Sequence, residues 1–159
     1  EGYRTMVDDF LRSWISTRPS LQGAIFEAGG LEDAHKLIEE EYWRIVETNT
    51  ETVKVEYGSD LDTDVYGTGF MGSGPGMACN EGDAHAWDFN ELVRRPTNLL
   101  RVIGASIPGL TRPWLYFGML FATFCWHTED HFLGSINYLH EGAPKTWYGI
   151  PSKDAQSFE

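Results

Sequence analysis

Phe124-Cys125-Trp126-His127-Thr128-Glu129-Asp130-His131 closes a long apolar stretch that starts at Trp114, and its reading as extended chain decides the fold. Residues two apart in a strand point to the same side, so His127 and Glu129 can offer an imidazole nitrogen and a carboxylate oxygen to one metal ion. That is two-thirds of a facial triad. Two histidines and a carboxylate on one face of an octahedral Fe(II) leave positions open for a chelating cosubstrate and dioxygen. The third ligand must come from elsewhere.

Working outward, Trp114 to Trp126 begins just after Pro113 and is too short to cross a bilayer, so it reads as a buried strand. Ser135 to His140 and Thr146 to Ile150 read as two further strands, with the turn Gly142-Ala143-Pro144 between them. Upstream, Met6, Phe10 and Trp14 recur at helical spacing and predict a helix from about Thr5 to Thr17, stopped by Pro19. A second helix places Leu31, Ala34, Ile38, Tyr42 and Ile45 on one face and leaves Lys36, Glu39 and Glu40 in water. Val53, Val55 and Tyr57 alternate with Lys54 and Glu56, a strand pattern ended by Gly58. From Gly58 to Glu91 the sequence is rich in Gly, Asp and Ser and reads as a surface excursion. A short piece at Asn98 to Val102 precedes a Pro108-Gly109 turn. Helices first and strands later predict an α+β fold, a barrel or sandwich braced by helices on one side.

The 159 residues suffice for one domain with a core, and six Trp and nine Phe argue against disorder. A net charge of −12 favours a basic partner, such as a Lys/Arg-rich tail, over direct nucleic-acid binding. Two cysteines cannot form a disulfide framework and suit a reducing compartment. Cys79 and His85 lack the paired spacing of a zinc site and read as ordinary loop residues. No targeting segment or membrane span is recognisable, and the chain, opening on Glu1, is expected to be a trimmed piece.

Strand parity sharpens the pocket. Ser135, Asn137 and Leu139 share one face, as do Lys145 and Trp147. A wall of Ser, Asn, Lys and Trp is odd for pure core, because a buried ammonium needs an anion, which a dicarboxylate ligand would supply. Trp114 and Tyr116 form another same-face pair, and aromatic faces suit a methylated ammonium. Singly, each feature has a plainer reading: a surface pair for His127 and Glu129, a snorkelling Lys145, backbone-satisfying Ser135 and Asn137, a packing Trp114. Within about thirty residues and on compatible faces, the joint reading as a site prevails.

Pro113 to Met119, Phe124 to His131, Ser135 to His140 and Pro144 to Gly149 together resemble the JmjC domain of histone lysine demethylases. Glu41 to Val46, Val55 to Asp60 and Tyr66 to Phe70 extend the resemblance upstream. Cys125, the order Glu129-Asp130-His131 and Lys145-Thr146-Trp147 favour the subfamily acting on lysine 4 of histone H3. The resemblance implies the N-terminal part of a catalytic domain: helices followed by the first half of a double-stranded β-helix, a jelly-roll or cupin-like barrel. It divides the chain into helices and a first strand over 1–58, a Gly-rich irregular segment over 59–98 and the half-barrel over 99–159.

It further implies an Fe(II)- and 2-oxoglutarate-dependent dioxygenase that releases N-methyl groups of a histone lysine as formaldehyde. His127 and Glu129 would bind iron. Lys145 and Tyr57 would hold the distal carboxylate of 2-oxoglutarate, Asn137 and Ser135 would add polar contacts, Phe124 would pack on its carbon chain and Trp147 would wall the pocket. Trp114 and Tyr116 match positions near the methyl-lysine. Phe124 and His127 can serve one pocket only if the chain bends between them. The family's third iron ligand is a histidine downstream of Glu159, so this piece alone is expected to be inactive; neither His131 nor His140 fills that role. Gly134, Glu141 and Ala143 depart from residues common in the family. Implied partners are the methylated histone H3 tail and chromatin complexes in the nucleus. The alternatives are a JmjC chromatin-binding module without turnover and a JmjC protein hydroxylase.

Overall fold

Apolar residues at helical spacing build a layer of three helices, α1 (Gly2–Ser16), α2 (Pro19–Glu27) and α3 (Leu31–Thr48), in a computed structural model that describes residues 2–28, 30–70 and 88–158. Pro19 does not merely stop the first helix. It opens α2, where its missing N–H is one of the groups left unbonded anyway and its fixed φ suits the first turn. Glu32 and Asp33 sit in the first turn of α3, favourable to the helix dipole. Asn49 ends α3 in the left-handed region (φ 46°), its N–H donating to the Ile45 carbonyl at 3.0 Å.

An ionic network fastens this layer. The Arg18 guanidinium lies 4.3 Å from the centre of the Trp14 ring and donates to Glu41 (3.2 Å) and to Glu51. Arg44 donates to the same two carboxylates, at 2.6 Å and 2.5 Å. The hydrogen bond from Arg44, with help from Arg18, holds the Glu41 carboxyl below the usual carboxylate range despite its burial. Because Arg18 and Glu41 are both largely buried, losing either leaves a poorly hydrated charge, unlike the loss of an ordinary surface pair.

The sheet has two antiparallel strands, β1 (Tyr57–Asp62) and β2 (Trp114–Gly118), pairing Tyr57 with Gly118 and Asp62 with Trp114. Its register shifts between Gly58 and Leu61, and inside that bulge Asp60 adopts a positive φ of 53°. Arg112 bonds to Asp62 (3.2 Å) and Asp64, tying the end of β1 to the approach of β2. Buried Thr63, in the short helix α4 (Thr63–Tyr66), donates to the Pro113 carbonyl at 2.8 Å.

Four strand expectations need correction. The first strand begins at Tyr57, where the alternation predicts its end, because Val53 to Glu56 have no partner strand among the described residues and the Glu56 N–H goes to the Met119 sulfur instead (3.0 Å). The second stops at Gly118 rather than reaching Trp126: a turn at Met119–Ala122, closed by the Ala122 N–H on the Met119 carbonyl (3.0 Å), breaks it. Ser135 to His140 and Thr146 to Ile150 carry no ladder among the described residues. A period-two pattern supplies faces, but a strand also needs a neighbour for its N–H and C=O groups.

The turns fare better. Gly142 (φ 112°) and Gly109 (φ 79°) take the backbone that turns demand; a Cβ on Gly109 would lie 2.5 Å from the Trp114 ring nitrogen. The short piece at Asn98 to Val102 is a 3₁₀ turn, Leu99–Val102, capped by Asn98. Helices α5 (Phe89–Leu92) and α6 (Ala155–Phe158) are single turns. The architecture is α+β with an antiparallel pair, consistent with part of a barrel. Cys79, His85 and the middle of the Gly-rich stretch, residues 71–87, lie outside the described residues.

Candidate metal and cosubstrate site

The His127 ring stands with Nδ1 2.7 Å from the Cys125 carbonyl and Nε2 3.8 Å from Glu129 Oε1. A carbonyl only accepts, so the Nδ1 proton is fixed on that bond, and as a metal ligand the ring would offer the Nε2 lone pair on the side that faces Glu129. A lone pair and a carboxylate facing each other form a donor set for a cation. Metal–nitrogen and metal–oxygen distances sum to about 4.2 Å, so one ion can touch both. The pair can therefore offer two ligands to one ion; among the described residues no group of three or more His, Cys, Asp or Glu gathers around one point. Both side chains are about half exposed, accessible to ligands.

A bend at Trp126 separates this pair from Phe124, as one pocket requires. Phe124 anchors an aromatic row: its ring centre lies 5.7 Å from Tyr57, 5.8 Å from Tyr116 and 6.2 Å from Trp147. Tyr57 and Tyr116 stack at 6.3 Å. The reversal at Gly142 returns Lys145 onto Asn137, its Nζ donating to Oδ1 at 3.3 Å, while the ammonium rests 4.9 Å from the Phe124 ring centre and 5.8 Å from that of Trp147. Loss of water over those rings lowers the lysine pKa, and no carboxylate pairs with it among the described residues. An ammonium so placed favours an anionic ligand.

The opposite end of the row is acidic. Tyr116 donates its hydroxyl to Asp60 at 2.8 Å; burial first, then that bond, raises the phenol pKa, with Glu129 adding to the effect. Sequence reading missed Asp60. A strand pattern gives no hint of it, since the bulge that aims its carboxylate arises from pairing with residues more than fifty positions away.

The structure thus gathers Tyr57, Tyr116, Phe124, Asn137, Lys145 and Trp147 into one chain of contacts. It does not bring in Trp114, whose indole lies against Gly109. Ser135 is exposed and makes no side-chain hydrogen bond among the described residues. Of the two histidines set aside, His140 packs on Phe70 (4.5 Å) and Tyr138 (4.9 Å), away from the pair.

Residues 114–159 match the family described as "JmjC domain, hydroxylase". Lysine-specific demethylase JMJ703 of Oryza sativa subsp. japonica is 42% identical over the whole of this chain, which covers 12% of that protein. Over residues 114–159 the chain is JmjC-domain sequence. Putative lysine-specific demethylase JMJ16 of Arabidopsis thaliana is 48% identical over 80% of this chain and 11% of its own length. Lysine-specific demethylase 5D of Homo sapiens is 44% identical over 78% of this chain and 8% of its own. The chain thus spans about a tenth of the length of these JmjC relatives. No solved structure matches it significantly. The JmjC match opens at Trp114, the first residue of β2, so of the sequence-derived site residues only Tyr57 precedes it.

Proposed function

We propose that this chain supplies part of the active site of an Fe(II)- and 2-oxoglutarate-dependent dioxygenase that demethylates a histone lysine, lysine 4 of histone H3 being the expected position. The observation that carries the reading is Lys145: a partly desolvated ammonium over Phe124 and Trp147, oriented by Asn137 and without a carboxylate partner among the described residues, in the same aromatic row that reaches Tyr116, whose phenol feels the Glu129 charge. Relatives named lysine-specific demethylases support the substrate class.

Iron held by His127 and Glu129 would supply oxygen activation, dioxygen oxidising 2-oxoglutarate to succinate and carbon dioxide while an N-methyl carbon leaves as formaldehyde. The chain's own residues would do the rest. Lys145 binds the distal carboxylate, and Asn137 holds Lys145 on station. Phe124 and Trp147 cover the carbon chain and keep water away. Tyr57 and Tyr116 wall the space beside the metal pair, and the acidic end at Asp60 suits a cationic lysine side chain as Lys145 suits an anion. The net charge of −12 favours the approach of a basic histone tail, and a histone substrate implies work in the nucleus.

The test is formaldehyde and succinate release by the intact parent protein from a panel of methylated histone H3 peptides. Equal yields that depend on Fe(II) and 2-oxoglutarate are expected, largest for lysine 4. Binding of methylated peptide without any turnover would replace this reading with that of a chromatin-binding module, and preference for another lysine would overturn the position.

A further inference from the structure

The turn between β2 and the metal pair carries an anomaly. In Met119–Ala122 the third residue, Phe121, has φ 67°, a conformation that glycine or asparagine normally supplies. A backbone outlier of this kind persists only where its surroundings enforce it. Here they do so from the helical layer. The Phe121 ring meets the Trp14 edge of α1 at 5.0 Å and Tyr42 of α3 at 5.8 Å. Its carbonyl accepts from Thr123 Oγ1 at 2.8 Å, and the same hydroxyl lies 3.3 Å from the Tyr42 hydroxyl. Trp14 and Met119 are the most buried apolar side chains among the described residues, so the turn sits in the core. Two site residues leave from it directly. Phe124 follows three positions on, and the Met119 sulfur bonds the N–H of Glu56, next to Tyr57.

We propose that Phe121 is a positioning residue: clamped between Trp14 and Tyr42, its ring imposes the left-handed turn that sets Phe124 against Lys145 and directs the chain toward His127. The helical layer thereby fixes the cosubstrate pocket without touching the cosubstrate. The catalytic readout rests on the function proposed above; the geometric claim does not.

Phe121→Gly separates clamp from fold, since glycine adopts this turn without strain while the ring contacts vanish. In the intact parent protein, Phe121→Gly is expected to raise amide hydrogen exchange at Ala122 and Glu56, whose N–H groups bond to Met119, at least tenfold while β1 and β2 keep their protection. The KM for 2-oxoglutarate should rise about tenfold with little change in kcat. Phe121→Tyr, which keeps the ring, should leave both as in the wild type. Unchanged exchange at Ala122 and Glu56, or a uniform rise across β1 and β2 as well, overturns the proposal, as does an unchanged KM in an active enzyme. Should the wild type show no 2-oxoglutarate turnover, the functional reading fails and the exchange pattern alone decides on the clamp.

Discussion

The helical layer and the stretch from Phe124 to Phe158 are built on opposite terms. The first satisfies its backbone within each helix and binds its members with a buried ionic network and Trp14. The second has almost no regular backbone pairing among the described residues, and its large side chains are mostly exposed, yet it carries nearly all of the site. Its order comes from side chains: Phe124 against Tyr57, Lys145 on Asn137, Tyr148 on Trp43. A functional geometry can therefore be held by rings and a few polar contacts anchored in a rigid neighbour, and the two regions should respond differently to substitution.

The sharpest break in that contrast is His127→Ala. Turnover in the parent protein should fall below detection, by about 10³-fold or more, since one of the iron ligands is lost. Thermal unfolding should stay within about 1 °C of the wild type because the ring is half exposed and makes no ring contact among the described residues. Retained turnover would remove the iron assignment. Trp14→Ala should do the reverse in kind, costing about 3–5 kcal/mol of stability by emptying a core position, read as a melting point lower by roughly 10 °C. A melting point that hardly moves would mean that Trp14 is not the keystone of the helical layer.

Lys145→Ala comes next. Removing the cation that faces a carboxylate should raise the 2-oxoglutarate requirement about 10- to 100-fold and leave the melting point alone. An unchanged requirement would take Lys145 out of the site. The smallest effect is expected from pH. The native Glu41 carboxyl lies below its ordinary value, so the unfolded chain binds its proton first as pH falls. Its contribution is complete above the ordinary carboxylate pKa of about 4.3 and disappears as pH drops through the lowered native value. Melting points followed from pH 6 down to pH 3 should fall less steeply for Glu41→Gln than for the wild type; parallel curves would show that the network does not stabilise the fold.

What could be read from sequence follows the same division. The face formed by Ala34, Ile38, Tyr42 and Ile45 announces α3 because helical bonds are local. The strands were misjudged wherever pairing decides: Tyr57 opens β1 because Gly118 lies opposite it, which no window around Tyr57 contains. The His127-x-Glu129 spacing placed both donors together, and the position of Lys145 beyond the Gly142 turn was legible from the turn itself. Asp60 and Phe121 were not, since each owes its conformation to contacts distant along the chain. Trp114 shares a strand face with Tyr116, but the close approach of Gly109 draws its indole elsewhere.

The bond from Trp43 Nε1 to the Tyr148 hydroxyl at 2.8 Å, which Tyr148 passes on to Glu39, also has a bearing on the order of assembly. It closes a loop of more than a hundred residues, so its entropic cost falls late, after helix α3 exists to receive the tyrosine. During synthesis the helices emerge first and can wait as a template. The wall bearing Lys145 arrives after them, and a ribosome-bound chain should gain no 2-oxoglutarate affinity before Tyr148 has cleared the exit tunnel.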